Sequence, residues 1–347
     1  MLHNVVSSDA PKQNRSAAAR LGVAVLLTLL LALAVSVALG EAQESFQPLH
    51  PLPASAPALT SRGLLPQDAE EDYYLVIDPD GGQWVYIDRD MFIHIYRQID
   101  VVEKERDLVW YETEIVVAPG TKFVTQHANP EEIGRRFVYA EDFATDLNSI
   151  FAFSDDFYGF RVYQKRRPGV IIQNSVILAD DSLREPHYTL PTYDLIALFE
   201  DGSMKTYLAG SIDAVTLLAL GATDTWCFGP VLLSEGQIGQ QVLDKKFEYA
   251  NPRQVLAMFE PNHYLVMTIE GRNRQSDGVG LLWVAEHLQQ MGIPEALNLD
   301  GGNSIKTVFM GSLINSDRHY NKENKRSVTS LITLGTFPLD TLATGEE

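Results

Sequence analysis

The chain has 347 residues, 45% of them hydrophobic, which is enough to bury a core and excludes disorder throughout. A formal net charge of −19 and a pI near 4.8 exclude general nucleic-acid binding, because a field of that sign repels phosphate backbones. A single cysteine, Cys227, excludes an internal disulfide framework and a cysteine-rich zinc site.

The N-terminal segment has the pattern of a membrane anchor or an export signal. Residues 21–39 contain no charge, and three basic residues precede them. A run of this length spans a hydrocarbon core as a helix, and basic residues before it favour the cytoplasmic side. A cleaved signal is the alternative, since Ala38 and Gly40 fit a cleavage site. We expect a cytoplasmic tail over 1–20 and a transmembrane anchor or signal peptide over 21–40. The domain then lies outside the cytoplasm, held by a single pass in the cell membrane, or is secreted if the segment is cleaved.

The next segment, 41–72, is predicted to be a proline-rich linker. Five prolines between positions 48 and 66 favour an extended, semi-rigid chain. Strand-like alternation of apolar and polar residues begins at Tyr73. We therefore place the globular domain over 73–338 and a frayed tail over 339–347.

Many short strands and a few helices are predicted within this domain. The predicted strands are 84–87, 92–96, 108–117, 122–125, 150–153, 195–199, 204–208, 263–269, 296–299, 305–310, 313–315 and 327–335. The predicted helices are 140–149 and 278–291, the second with one broad apolar face that ends before Gly292. This order predicts an α+β fold with mixed, largely antiparallel sheets and a few packed helices.

The sharpest local feature is the turn Asp300–Ser304, which follows a predicted buried strand. Its adjacent glycines, Gly301 and Gly302, let the backbone take positive φ and let a ligand approach closely. Successive N–H groups in such a turn form an anion-binding concavity, beside which Asp300 would act as a base, a ligand orienter or a metal ligand. An ordinary tight turn with an Asx hydrogen bond is the alternative.

Two arginines and one acidic turn are further candidates. Arg253 precedes the predicted strand 263–269 and Arg272 follows it, and arginine binds phosphate through two parallel hydrogen bonds. Asp156 lies in an acidic turn where paired carboxylates do acid–base work or hold a cation. A solvated surface loop is the alternative for each.

Six segments, taken in order, resemble the phosphodiester glycosidase family. They are Phe151–Arg161, Ile172–Ile177, Trp226–Pro230, Asn251–Arg253, Glu270–Arg272 and Asn298–Ser304. Family members usually carry Asn-Gly-Asp-x-Tyr-Gly, Phe-Gly-Pro, Asn-Pro-Arg, Asp-Gly-Arg and Asn-Leu-Asp-Gly-Gly at the corresponding places. The similarity extends from about Trp84 to Gly335, and the last segment is its most specific part.

The resemblance implies a hydrolase that cleaves the bond between the anomeric carbon of a sugar and a phosphodiester oxygen. The implied substrate is an N-acetylglucosamine-phosphodiester-like unit in an envelope polymer or glycan. The implied catalytic residues are Asp300, Asp156 and Glu270, and the implied substrate-binding residues are Arg253, Arg272, Gly301, Gly302, Asn303, Ser304 and Tyr158. If the three acidic residues converge, they would also suit a divalent cation, Ca²⁺ or Mg²⁺.

Several residues depart from the family pattern. Ser154 and Asp155 replace Asn-Gly, Glu270 stands where aspartate is common, and Ile305 and Lys306 replace small hydroxyl residues. The longer Glu270 side chain moves its carboxylate by about one C–C bond, and a displacement of that size is enough to change the rate of a catalysed reaction. These departures keep open the alternative of a catalytically degenerate module that binds phosphorylated glycans. The anchor and the proline-rich segment keep open a second one, a scaffold for envelope or exopolysaccharide assembly.

Overall fold

The computed structural model describes residues 46–101, 107–132, 135–154, 169–182, 192–319, 322–323 and 325–337. The tail and anchor expected over 1–40 lie outside these ranges, as do Asp156 and Tyr158. Within the ranges, no helix is long and apolar enough to cross a membrane. The compact unit that carries the described residues from Gln47 onward extends to Glu347.

The described part of this unit consists mainly of strands, with three α-helices between them. The strands are β1 Tyr74–Asp78, β2 Gln83–Ile87, β3 Met91–Asp100, β4 Leu108–Val117, β5 Val124–His127, β6 Ser149–Phe153, β7 Val170–Gln173, β8 Val176–Asp180, β9 Asp194–Phe199, β10 Met204–Tyr207, β11 Ala222–Phe228, β12 Val231–Ser234, β13 Gln237–Ile238, β14 Arg253–Glu260, β15 His263–Ile269, β16 Glu295–Leu299, β17 Thr307–Phe309, β18 Ser312–Leu313, β19 Arg318–His319, β20 Lys322–Glu323 and β21 Ser330–Thr336. The helices are α1 Ala140–Asp146, α2 Ala214–Ala219 and α3 Leu281–Gln290.

Strand pairs are antiparallel throughout the described part of the chain. A nine-stranded sheet has the order β1-β2-β3-β4-β15-β14-β16-β12-β13. A five-stranded sheet has the order β18-β17-β6-β21-β5, and a three-stranded sheet has the order β10-β9-β11. β7 pairs with β8, and β19 pairs with β20. The predicted α+β class with largely antiparallel sheets is confirmed.

Two hydrophobic cores lie on opposite faces of the nine-stranded sheet, because successive strand residues point to opposite sides. In β15, Leu265, Met267 and Ile269 pack in the same core as α3. Tyr264 and Val266 instead join the core formed with the five-stranded sheet. This alternation decides which polar residues reach the same side at the strand ends.

The predicted elements agree with the structure best in the C-terminal third. The strand 263–269 has the predicted bounds, whereas the helix expected over 278–291 begins only at Leu281. The later start has a local cause, because Gly278 has φ +86° and Val279 forms a β-bridge with Asn251. The β7–β8 hairpin and α2 were not predicted.

The proline-rich segment expected as a linker lies against the sheet between positions 49 and 65. The backbone N–H of Leu49 donates to Oε2 of Glu114 (2.7 Å), and Nε2 of His50 lies 2.6 Å from Oε2 of Glu112. The N–H of Leu65 donates to a backbone carbonyl 2.9 Å away, and its side chain is buried. Buried carboxylates on β4 thus form some of their hydrogen bonds with this segment, which packs on the domain at these positions.

A buried histidine in β3 makes the stability of the fold sensitive to acid. His94 is fully buried among the rings of Phe92, Tyr96 and His50, opposite Glu114 in the strand register, and neither ring nitrogen has a hydrogen-bond partner in the described residues. Burial, followed by the charge of His50, lowers the pKa of His94 from 6.5 to about 4. Below about pH 6.5 the unfolded chain therefore binds a proton at His94, whereas the folded chain binds this proton only below about pH 4.

We expect the free energy of unfolding to fall between pH 6.5 and pH 4, with His94 contributing up to ~3 kcal/mol of that fall. In the variant His94→Leu this contribution disappears, because the leucine binds no proton in either state. Urea denaturation of both proteins at pH 7, 5.5 and 4.5 measures the difference. Parallel pH profiles for the two proteins would contradict the prediction.

Candidate active site

The site forms where three adjacent central strands end at the same edge of the sheet. β14 begins at Arg253, which pairs with Ile269 at the end of β15. On the other side of β14, Gln254 pairs with Leu299 at the end of β16. Because these strands are antiparallel neighbours, the loops 251–253, 270–272 and 300–302 meet.

Glycines let these loops pack backbone against backbone. A Cβ on Gly301 would lie 2.5 Å from the carbonyl oxygen of Pro252, and one on Gly271 would lie 2.8 Å from the nitrogen of Pro252. A Cβ on Gly278 would lie 2.2 Å from the carbonyl oxygen of Asn251. Backbone atoms cannot move aside as a flexible side chain does, so these positions require glycine.

Substituting Gly301 tests this close packing. We expect Gly301→Ala to lower stability by roughly 1–3 kcal/mol, because the added methyl group forces the Pro252 loop outward. Activity should fall with it, since Arg253 follows Pro252 directly. The comparison is Gly120→Ala, where φ is +94° but no atom lies within 4 Å of the new Cβ. That variant should lose stability and keep kcat/KM. Thermal unfolding and steady-state kinetics on both variants test the prediction, and equal kcat/KM values in the two would contradict it.

The three loops enclose a cleft of about 270 Å³. Six of the predicted site residues line it, namely Arg253, Arg272, Asp300, Gly301, Gly302 and Asn303. The cleft is also lined by Phe228, Asn251, Pro252, Asn298 and Arg326, none of which was predicted as a site residue. Residues distant in the sequence therefore share one opening.

Two arginines are fixed in this cleft by neutral acceptors. Nε of Arg253 donates to the carbonyl of Val279 (3.1 Å) and Nη2 donates to that of Tyr249 (3.0 Å). In Arg272, Nε and Nη2 both donate to Oδ1 of Asn251, at 3.1 and 2.5 Å. Arg272 has φ +54°, a backbone conformation that costs energy in a residue with a Cβ. The loop thus holds the guanidinium in a defined direction.

The cleft concentrates positive charge. Burial, followed by repulsion from Arg272, lowers the pKa of Arg253 to about 10. Within the described ranges, neither arginine forms an ion pair with a carboxylate. Two guanidiniums that repel each other in a partly desolvated cleft bind an anion more strongly than the same groups in water.

One N–H group of the glycine turn, that of Gly302, does not have the role predicted for it. The N–H of Gly302 donates to the carbonyl of Pro252 (3.0 Å), so it does not face the cleft as an anion donor. A Cβ on Gly302, which has φ +62°, would lie 3.2 Å from Nη1 of Arg272. The missing side chain lets the guanidinium approach the turn.

Arg326 is a third cation of the cleft, and it is held by a predicted site residue. Its Nη1 donates to Oγ of Ser304 at 3.3 Å. Ser304 is only 2% exposed and does not line the cleft, so its hydroxyl supports Arg326 from outside the cleft lining. No motif in the sequence marks Arg326.

Glu270 lies on the opposite face of the sheet from the cleft. It comes one residue after Ile269, and alternation points its side chain away from the face that Arg253 shares with Ile269. The buried carboxylate accepts hydrogen bonds from the hydroxyl of Tyr111 (3.1 Å), the amide of Asn273 (2.8 Å) and the N–H of Ser316 (2.7 Å). Glu270 was expected as a catalytic acid in the cleft, but its carboxylate does not line the cleft. It stabilises the loop after β15 instead.

The same geometry bears on the predicted cation site. Asp300 lines the cleft, Glu270 does not, and Asp156 is outside the described residues. Among the residues that are described, no group of three or more histidine, cysteine, aspartate or glutamate side chains could hold a metal ion. Glu270 and Asp300 therefore belong to no such group within the described ranges.

Comparison with known proteins points to a single family. A family model described as phosphodiester glycosidase matches residues 148–334, which include all three loops of the cleft. The catalytic domain of zebrafish N-acetylglucosamine-1-phosphodiester alpha-N-acetylglucosaminidase has a similar fold, with a TM-score of 0.56, 14% identity, and coverage of 71% of this chain and 84% of that chain. A hypothetical protein from Synechocystis gives a TM-score of 0.44 and 14% identity over 76% of this chain and 68% of that chain.

A curated relative covers less of the chain. The SPbeta prophage-derived uncharacterized protein YomE of Bacillus subtilis (strain 168) is 29% identical over 120 residues. That match spans 34% of this chain and 19% of the relative.

Proposed function

The chain belongs to the phosphodiester glycosidase family, and on that premise we propose that it hydrolyses a sugar 1-phosphodiester at the anomeric carbon. The observation that carries the proposal is the pair Arg253 and Arg272, directed into one cleft beside Asp300 with no carboxylate partner in the described residues. With a net charge of −19, the protein as a whole repels an anionic substrate. A local cationic cleft overcomes this repulsion at short range.

The proposed reaction breaks the bond between C1 and the bridging phosphate oxygen. The electron pair of that bond leaves with the phosphate, and water supplies the hydroxyl that ends on C1. Negative charge therefore grows on the phosphate in the transition state, where Arg253, Arg272 and Arg326 stabilise it. Positive charge grows on the sugar ring, where the carboxylate of Asp300 opposes it or activates the nucleophile.

We further propose that the substrate is a phosphodiester-linked sugar, of the N-acetylglucosamine type, in an envelope polymer or glycan outside the cytoplasm. The support is the uncharged run 21–39 with basic residues before it, together with the family of the domain. The chain would then be a single-pass membrane protein, or a secreted one if that run is cleaved.

The test is release of free sugar by the purified full-length chain, kept in a neutral detergent. The substrates are N-acetylglucosamine 1-(methyl phosphate) and a nucleoside-diphosphate N-acetylglucosamine, with and without Ca²⁺ or Mg²⁺. Release that depends on the chain supports the proposal. Absence of release from both substrates, across pH 4 to 8, would overturn it.

Binding without turnover is the outcome that favours a phosphoglycan-binding module instead. Calorimetry with the same phosphodiester measures this binding. Loss of binding in Arg272→Gln would show that the phosphodiester binds in this cleft. A scaffold role predicts instead that envelope partners are recovered equally well with Asp300→Ala.

A further inference from the structure

One polar atom at the base of the cleft has no partner. Asn298 lines the cleft and is 1% exposed, and its Oδ1 forms no hydrogen bond with the described residues. An unsatisfied buried acceptor costs free energy, so native structures rarely keep one without a reason. Its position in the cleft makes a bound ligand the natural partner.

The orientation of this amide is fixed by its surroundings. Nδ2 of Asn298 donates to the carbonyl of Gly229 at 2.8 Å. A carbonyl oxygen only accepts, so exchanging the two amide atoms would place two acceptors against each other. The backbone is held as well, because Gly229 donates its N–H to the carbonyl of Asn298 (3.0 Å) and Asn298 donates to the carbonyl of Pro230 (3.2 Å). Oδ1 is therefore a preorganised acceptor.

The chemistry of the ligand follows from this acceptor. An ionised phosphodiester carries only acceptor oxygens, whereas a sugar carries hydroxyl or acetamido N–H donors. The arginines of the cleft can only donate, so they suit the phosphate and cannot bind to a donor. Phe228, which lines the same cleft next to Gly229, offers an apolar surface to the ring.

We propose that Oδ1 of Asn298 accepts a hydrogen bond from one hydroxyl or acetamido N–H of the sugar, and so selects the sugar and fixes its orientation. The sugar then lies over Asn298 and Phe228, with the phosphate against Arg253 and Arg272. This assignment rests on the proposed function, and it adds a specificity-determining residue to it.

The test uses a non-hydrolysable probe, so that binding is measured apart from turnover. The probe is the C-glycosyl methylphosphonate methyl ester of N-acetylglucosamine, in which carbon replaces the bridging oxygen. Its analogues each lack one donor: the 3-deoxy, 4-deoxy and 6-deoxy sugars, and the 2-O-acetyl sugar, in which an ester replaces the amide. Calorimetry gives Kd for each with the full-length chain.

With the unmodified chain, we expect one analogue to bind about 10- to 100-fold more weakly than the probe. In Asn298→Leu that difference should shrink below threefold, because the acceptor is gone. Asn298→Asp also loses the bond to Gly229 but keeps an acceptor, so the difference should persist. Asn174→Leu, which changes an exposed asparagine that does not line the cleft, is the control and should keep it too.

If all analogues bind to the unmodified chain within threefold of the probe, the assignment is overturned. This measurement does not depend on the folding of any variant. A difference that survives in Asn298→Leu, or that vanishes in Asn174→Leu, would also overturn it. Failure of the proposed function is distinguishable, because the O-linked phosphodiester would then release no sugar even where the probe binds.

Discussion

Replacing Asp300 by asparagine is expected to lower kcat by about 10³-fold, the middle of the range for a positioned acid or base. The substitution keeps the size of the side chain and removes the carboxylate that faces the sugar in the proposed reaction. Binding of the non-hydrolysable probe should change by less than threefold, since the arginines hold the phosphate. Steady-state kinetics and calorimetry together separate the two effects.

Asp180→Asn is the matched control, because Asp180 lies exposed on β8, away from the cleft. Its kcat should equal that of the unmodified chain. A decrease of less than tenfold in Asp300→Asn would remove Asp300 from the chemical step. Another carboxylate would then have to act on the sugar.

The second large effect is expected at Arg272. Arg272→Gln keeps a polar side chain near Asn251 but removes the charge, and we expect kcat/KM to fall by about 10²- to 10³-fold, as for the loss of one transition-state donor. Most of the fall should lie in kcat, since negative charge on the phosphate grows as the C1–O bond breaks. Measuring kcat and KM separately tests this division.

Arg274→Gln supplies the control, because Arg274 is exposed two residues away in the same loop and does not line the cleft. Both variants change the far-field charge by the same amount. Equal losses in the two would mean that the arginines act only through the overall field. A large loss confined to Arg272→Gln supports a direct contact.

The sequence identified two of the three loops of the site because each follows a predictable strand, whereas the loop 251–253 precedes β14, a strand that the pattern did not predict. The strand 263–269 has an unbroken apolar run over 264–267, and 296–299 leads directly into the glycine turn. That β14, β15 and β16 are adjacent could not be read from the pattern, since strand order depends on tertiary packing. Their antiparallel adjacency is what brings Arg253 and Arg272 together.

The failures have equally specific causes. Successive residues at a strand end point to opposite faces of the sheet, so a shift of one position decides whether Glu270 faces the cleft. The family motif does not say which face Glu270 takes. Gly302 has its N–H paired with Pro252, a contact between loops about fifty positions apart. Arg326 lies outside every motif. Asn298 was within a motif, but its unpaired Oδ1 becomes visible only when the hydrogen bonds are counted.

The most direct test of the central claim is the position of isotope after hydrolysis in ¹⁸O-labelled water. N-acetylglucosamine 1-(methyl phosphate) is the substrate, and free N-acetylglucosamine in the same water corrects for exchange at C1. Cleavage of the C1–O bond in the cationic cleft predicts one ¹⁸O in the released sugar and none in methyl phosphate. Label in the phosphate product would mean attack at phosphorus, and would contradict the assignment of this cleft to a glycosidase.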